Sequence, residues 1–131
     1  MATYSVLVAD DHPLTREGLV RALRDDGRFT VVAEAADGRD AVALAQELTP
    51  DLAVLDARMP QLDGIQAMQA ITRTAPGTRV VMLSAFDDRI VVRAALASGA
   101  SGYLTKDADR ATICDALARV AAGEIVTPRP S

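Results

Sequence analysis

The sequence predicts an α/β domain whose parallel sheet is covered by helices on both faces. Three observations carry this expectation. Across 131 residues, five short apolar runs alternate with five stretches of helical periodicity, the pattern produced when crossover helices join parallel strands. The runs are continuously apolar, as strands buried on both faces require, and do not alternate with polar residues. The chain is 50% hydrophobic but only 3% aromatic, so its core must be built from Val, Leu, Ile and Ala. One domain of ordinary size suits this length.

Each element has a local reason. Residues 6–9, Val-Leu-Val-Ala, read as a buried first strand. A helix over about 14–23 follows, with Pro13 suited to a first turn that needs no N–H. Residues 30–35 make a second strand, rich in β-branched side chains. Ala41, Leu44, Ala45 and Leu48 then form a helical stripe closed by Thr49-Pro50. Residues 52–55 are another apolar run, ending at Asp56. The next helix, 63–73, opens with Asp63 and has Gln66 three residues on, the form of a capping box. Residues 80–83 are the fourth strand and 87–98 the fourth helix, which Gly99 can terminate. Residues 102–105 form a short fifth strand, and a last helix runs from about 109 to 122 before Gly123. We find no internal repeat and no low-complexity segment. The domain is therefore expected over 1–123, with 124–131 as an extended linker because of Pro128 and Pro130; a frayed terminus is the alternative.

Composition narrows the function classes. A net charge of −4 argues against nucleic-acid binding by this domain. One cysteine, Cys114, cannot form an internal disulfide, which fits a reducing compartment, and it reads as a small apolar helix residue. No signal peptide is evident, because the first apolar run is short and leads straight into acid. No apolar stretch approaches the roughly 20 residues that span a bilayer. A soluble, cytoplasmic protein is expected.

The polar residues at the strand ends are the most informative feature. Ligands of open α/β sheets sit outside the carboxyl ends of the strands. Here strand one ends in Asp10-Asp11, strand three in Asp56, strand four in Ser84 and strand five in Thr105-Lys106. Singly, each is ordinary: an Asp or Ser after a strand is usually a turn former or cap, and a lysine is usually a surface residue. Jointly, they converge on one edge of the sheet. Three carboxylates there repel and raise each other's pKa values. A divalent cation relieves this, and oxygen ligands with water positions to spare suit Mg²⁺. Asp56 beside such a metal is a plausible nucleophile towards phosphorus. Lys106, the only lysine in the chain, and the Ser84 hydroxyl would then neutralise or donate to the phosphoryl oxygens.

At these residues the sequence resembles the receiver domains of two-component response regulators. The resemblance is carried by Val-Leu-Val-Ala-Asp-Asp at 6–11, Leu-Asp-Ala-Arg-Met-Pro at 55–60, Asp-Gly at 63–64, Ser-Ala at 84–85 and Tyr-Leu-Thr-Lys at 103–106. It spans about 4–123. It implies a flavodoxin-like (βα)5 fold with strand order 2-1-3-4-5. It also implies that Asp56 accepts a phosphoryl group from a sensor histidine kinase. Mg²⁺ would be held by Asp10, Asp11, Asp56 and the backbone carbonyl of Arg58, while Met59-Pro60 and Asp63-Gly64 shape the loop. Finally, it implies a switch: Ser84 moves towards the phosphoryl group, Tyr103 turns inward, and the surface of the fourth helix, fifth strand and fifth helix changes. A static core tyrosine is the alternative for Tyr103.

Finer features look like the LuxR/FixJ-type (NarL-like) branch, whose outputs are helix-turn-helix DNA-binding domains. These are Asp10-Asp11-His12-Pro13, Arg16-Glu17-Gly18-Leu19, and Asp107 where many receivers have a proline after the lysine. The last difference removes a likely cis-peptide site. His12 has no partner His or Cys for a metal and is read as the start of the first helix. The chain is expected to be the receiver of a two-domain transcription regulator, touching DNA only through the missing domain. A stand-alone receiver acting through protein–protein contacts is the alternative. The stripe Ile113, Leu117 and Val120 is either core or part of a homodimer interface through the first and last helices.

Two other classes fit poorly. Phosphohydrolases of the haloacid-dehalogenase type use Asp-x-Asp, but Arg58 stands at the second position, and no cap domain is present. A flavin-binding electron carrier needs a Ser/Thr/Gly phosphate loop and aromatic rings, and here the first loop is acidic. A degenerate receiver is disfavoured because every site residue is present. The domain is read as a signalling module, with self-phosphorylation from a donor and autodephosphorylation its only expected chemistry.

Overall fold

The computed structural model describes residues 3–59, 63–85 and 89–127. Strands and helices alternate in the order β1 Tyr4–Ala9, α1 Pro13–Asp26, β2 Phe29–Ala35, α2 Gly38–Leu48, β3 Leu52–Asp56, α3 Gly64–Thr74, β4 Arg79–Ser84, α4 Arg89–Ala97, β5 Gly102–Thr105 and α5 Arg110–Ala121. All strand pairs are parallel, and the sheet order is β2-β1-β3-β4-β5. This is the expected flavodoxin-like arrangement, with its topological switch point between β1 and β3. Among the described residues, no helix is long and apolar enough to cross a membrane.

Strand alternation divides the interior into two cores. Val6, Val8, Leu52, Val54, Val81, Leu83 and Leu104 face α1 and α5. Leu7, Ala9, Ala53, Leu55, Val80, Met82 and Tyr103 face α2, α3 and α4. This explains the continuous apolar runs, since both parities of each central strand are buried. Ile113, Leu117 and Val120 are buried in the first of these cores, so the stripe in the last helix is core and not an interface. Cys114 is buried beside them, as its small apolar reading predicts.

The helix ends match the sequence signals closely. Asp63 caps α3 through the Gln66 N–H, and Gln66 reaches back to the Asp63 N–H, completing the capping box. Asp37 and Asp109 cap α2 and α5. Gly27, Gly99 and Gly123 follow helices in the left-handed region, where a Cβ is disfavoured. Helix α1 extends to Asp26, beyond the expected end at 23, because its last turn is polar and leaves no apolar stripe to read. There Arg28 bridges Asp26 and Asp115, tying the end of α1 to α5. Residues 87–88 of the expected fourth helix lie outside the described residues.

The start of the expected linker is more ordered than composition indicates. Val126 accepts a hydrogen bond from the Tyr103 N–H at 2.9 Å and donates to the Ser101 carbonyl at 3.2 Å. Its side chain is buried. Edge strand β5 leaves backbone groups open, and a β-branched residue arriving from α5 can satisfy them. Pro128 and Pro130 lie outside the described residues.

Gly64 shows how tightly the loop after β3 is built. A Cβ there would sit 2.5 Å from the Asp56 carbonyl oxygen, 2.6 Å from Met82 Cε and 2.8 Å from Ala57 Cα. Two of these neighbours are backbone and cannot simply rotate away. Gly64→Ala should therefore destabilise the domain by about 1–3 kcal/mol, measured by urea denaturation. A loss below about 0.5 kcal/mol, the usual bound for a tolerated surface change, would show that the loop relaxes freely.

Candidate functional site

Strand order places the polar residues together. The pairing of Ala9 with Leu55 sets Asp10 and Asp56 on adjacent strand ends. Asp56 in turn pairs with Leu83, and Ser84 with Thr105, so Lys106 follows one position beyond. The Lys106 ammonium lies 3.0 Å from Asp10 Oδ2 and 3.2 Å from Asp56 Oδ2, bridging the two carboxylates. Both side chains are almost fully withdrawn from water, at 4% and 5% exposure. The Arg58 N–H donates to Asp56 Oδ1 at 3.1 Å, and Arg16 donates to the Asp10 carbonyl, pinning α1 to the end of β1.

Ser84 and Tyr103 are set apart from this group by strand parity. Asp10, Asp56 and Lys106 continue the parity of the residues that face α1 and α5. Ser84 continues that of Val80 and Met82, and Met82 pairs with Tyr103 in the core beneath α3 and α4. Tyr103 is fully buried, so its ring is inward in this structure. Ser84 is also buried, at the end of β4.

His12 joins the carboxylates, which its isolation among the residue types did not foretell. It stands at the N-cap of α1, as expected, but its side chain makes no capping hydrogen bond. Nδ1 instead lies 3.0 Å from Asp10 Oδ1, 3.1 Å from Asp11 Oδ1 and 3.5 Å from Asp56 Oδ2. Its spacing from Asp10 was the available signal. An i+2 residue beyond a strand end can fold back, as the His12 N–H does on Asp10 Oδ1 at 2.8 Å.

The electrostatics separate two carboxylates that share one pocket. Burial, reinforced by the Asp10 charge, pushes the Asp56 carboxyl above the usual range despite the Arg58 N–H and Lys106. Burial also acts on Asp10, but the His12 N–H and the Lys106 ammonium outweigh it and hold Asp10 below that range. Lys106 resists its own burial because Asp10 and Asp56 lift it above the usual lysine value. Hydrogen bonding to Asp10, aided by the Asp11 charge, raises His12.

The residues fit a divalent cation. Asp10, Asp11, His12 and Asp56 each offer a ligand atom within 4.8 Å of the others. Asp11 Oδ1 and Asp56 Oδ2 are buried oxygens without a hydrogen bond: the His12 ring and, for Asp56, the Lys106 ammonium lie close but poorly aligned for one. Such acceptors are costly to bury unless a ligand satisfies them. Arg58, two residues past Asp56, lines an open cleft beside this cluster with Asp11, Met59 and Asp63.

The sequence model of the response regulator receiver domain family matches residues 6–118, a span that contains every residue of this site. The chain belongs to that family. Relatives place this receiver domain in the NarL-like, LuxR-type branch. The probable transcriptional regulatory protein NarL of Mycobacterium tuberculosis is 46% identical over 124 residues, covering 94% of this chain and 57% of that protein. The nitrate/nitrite response regulator protein NarL of Escherichia coli is 36% identical over 122 residues, covering 93% and 56%. The chain thus spans little more than half the length of these curated relatives. The solved signal receiver domain of M. tuberculosis NarL superposes with a TM-score of 0.91 at 45% identity, covering 95% of this chain and 100% of that one. The isolated receiver domain of RcsB from Salmonella enterica, solved with the phosphomimetic BeF3−, gives 0.88 at 25% identity, covering 98% and 95%.

The raised Asp56 carboxyl has a thermodynamic consequence. A group whose pKa is higher in the folded state binds more protons there than when unfolded. Its contribution to stability is therefore present at low pH and lost as pH rises through the folded value. Without divalent metal, Asp56→Asn should raise the thermal midpoint at pH 7, and the gain should shrink as pH falls through the raised folded value and vanish below about pH 4, the ordinary Asp pKa. A lower midpoint for the variant at pH 7 would mean that Lys106 more than compensates for burial.

Proposed function

We propose that this receiver domain accepts a phosphoryl group on Asp56 from a sensor histidine kinase and, in a longer regulator, switches transcription. The supporting observation is Asp56 Oδ2, a buried oxygen without a hydrogen bond, facing Lys106 and flanked by Asp10 and Asp11. The Asp56 oxygen attacks phosphorus, an acyl phosphate bond forms, and the P–N bond to the kinase imidazole breaks. The departing nitrogen keeps the electron pair and takes a proton from solvent. Mg²⁺, held by Asp10, Asp11, Asp56 and the Arg58 carbonyl, would supply positive charge to the phosphoryl oxygens. Lys106 stays beside Asp56 and neutralises a further oxygen, and Ser84 donates its hydroxyl to another. Water later cleaves the acyl phosphate and resets the domain.

The altered surface is the product. Ser84 and Tyr103 lie on the face that packs against α3 and α4, and Tyr103 pairs with Met82, two residues before Ser84. Movement of Ser84 would therefore reach the α4–β5–α5 surface through directly packed neighbours. The energy available is the difference in phosphoryl affinity between the two states. The transcriptional output rests on longer relatives, a probable transcriptional regulatory protein and a nitrate/nitrite response regulator, of which this chain covers 57% and 56%. DNA would be contacted through a further domain, and the protein would act in the cytoplasm. A homodimer through α1 and α5 belongs to the same proposal. With Ile113, Leu117 and Val120 in the core, such a dimer must use outer residues such as Arg21, Asp25 and Arg110.

A small-molecule phosphodonor with Mg²⁺ should add one phosphoryl group to the domain, read by intact-mass spectrometry. Asp56→Ala should abolish it, and an unchanged adduct in that variant overturns the assignment. Lys106→Ala should keep the fold yet lose the beryllium fluoride–induced changes in the amide NMR spectrum around Tyr103. Wild-type changes in that variant would remove Lys106 from the switch.

A further inference from the structure

We propose that His12 supplies an imidazole ligand to the divalent-cation site, so that this domain favours later first-row cations such as Co²⁺ over Mg²⁺. The inference rests on the reading of the acidic cluster as a cation site and specifies what that site selects. His12 is the only histidine in the chain. It occupies the N-cap of α1, a position that favours Ser, Thr, Asp or Asn because their oxygens bond the first free N–H groups. Its side chain makes no such bond. The ring is directed to the carboxylates instead.

The distances match a ligand shell. With metal–ligand bonds of about 2.1 Å, neighbouring ligands of an octahedral ion lie about 3.0 Å apart. His12 Nδ1 lies 3.0, 3.1 and 3.5 Å from oxygens of Asp10, Asp11 and Asp56, three separate carboxylates. One of these, Asp56 Oδ2, belongs to a side chain only 5% exposed and has no hydrogen bond. Lys106 contacts Asp10 and Asp56 through their Oδ2 atoms, which leaves the His12 contact with Asp10 Oδ1 to be exchanged for a metal bond. The His12 ring is largely in solvent and can adjust without unpacking the core. On ligation, the Nδ1 proton shared with Asp10 passes to solvent.

Ligand chemistry sets the selectivity. Carboxylates and water suit Mg²⁺ and Mn²⁺, whereas imidazole favours the later first-row ions. A mixed set of three carboxylates and one imidazole therefore shifts the balance away from Mg²⁺. Every nitrogen-and-oxygen site binds Co²⁺ more tightly than Mg²⁺ to some degree, so a bare preference decides little. The dependence of the ratio on His12 decides it.

The test is calorimetric titration of the tag-free domain with MgCl2 and, separately, CoCl2, for wild type, His12→Ala and His12→Asn. The asparagine variant restores a side chain suited to the N-cap and guards against a folding defect in the alanine variant. The ratio of Co²⁺ to Mg²⁺ affinity should fall about tenfold or more in both, the scale on which lost metal-site groups act. Electron-spin-echo modulation of bound Mn²⁺ in ¹⁵N-histidine-labelled wild type should show nitrogen coupling, absent in both variants. An unchanged ratio, or bound Mn²⁺ without ¹⁵N coupling, overturns the role of His12 while leaving the cation site standing. A folded wild type that binds neither Mg²⁺ nor Co²⁺ overturns the cation site itself and this inference with it.

Discussion

Two carboxylates held out of water at neighbouring strand ends, bridged by one ammonium, are the constraint around which this domain is arranged. Asp10 and Asp56 share Lys106, whose ammonium offsets part of the cost of burying both carboxylates. The fold meets this requirement through the strand order. Placing β1 beside β3 joins the acids, and two further strand spacings bring the lysine to them from β5. The pocket remains rich in acid: among the described residues, the Lys106 ammonium and the His12 ring face the carboxylates of Asp10, Asp11 and Asp56. That arrangement is compatible with a divalent ion, and one buried Asp56 oxygen carries no hydrogen bond.

The same sheet divides the candidate residues between its two faces. Asp10, Asp56 and Lys106 follow the parity of the α1 and α5 core, whereas Ser84 and Tyr103 follow that of the α2, α3 and α4 core. In the proposed switch, Ser84 would move on the face away from α1 and α5. Beneath Ser84, the Met82–Tyr103 pair lies in a close-packed layer, where small shifts pass on to neighbours. Val126 bonds to the backbone of Tyr103 at the sheet edge, where its carbonyl accepts the Tyr103 N–H, while its side chain packs into the opposite core. The segment leaving α5 is therefore bonded to the backbone of the residue proposed to switch.

Much of the fold was legible because it depends on local pattern. Continuous apolar runs mark strands buried on both faces, and Asp63 with Gln66, or Gly after a helical stripe, marks helix ends by backbone hydrogen bonding and φ preference alone. Features the chain does not show along its length also have physical causes. The end of α1 beyond residue 23 carries no apolar periodicity, because Arg24, Asp25 and Asp26 are polar and the turn is held instead by Arg28 on Asp26. Residues 124–127 look like linker, because the open edge of β5 that captures Val126 is invisible along the chain.

The sequence by itself determined the class of the site: acids, a hydroxyl and a lysine at the carboxyl ends of strands one, three, four and five, with the alternation that makes those strands parallel. Tertiary structure alone decided which of these groups touch. Distances across a sheet follow from strand order and register, which composition does not encode. It set the opposite pKa directions of Asp10 and Asp56, which depend on who donates to whom. It sent Ile113, Leu117 and Val120 to the core, because helical spacing reports a face but not what covers it. It also turned His12 from the helix cap into the acid pocket, since three carboxylates attract an imidazole more strongly than the first turn of a helix does.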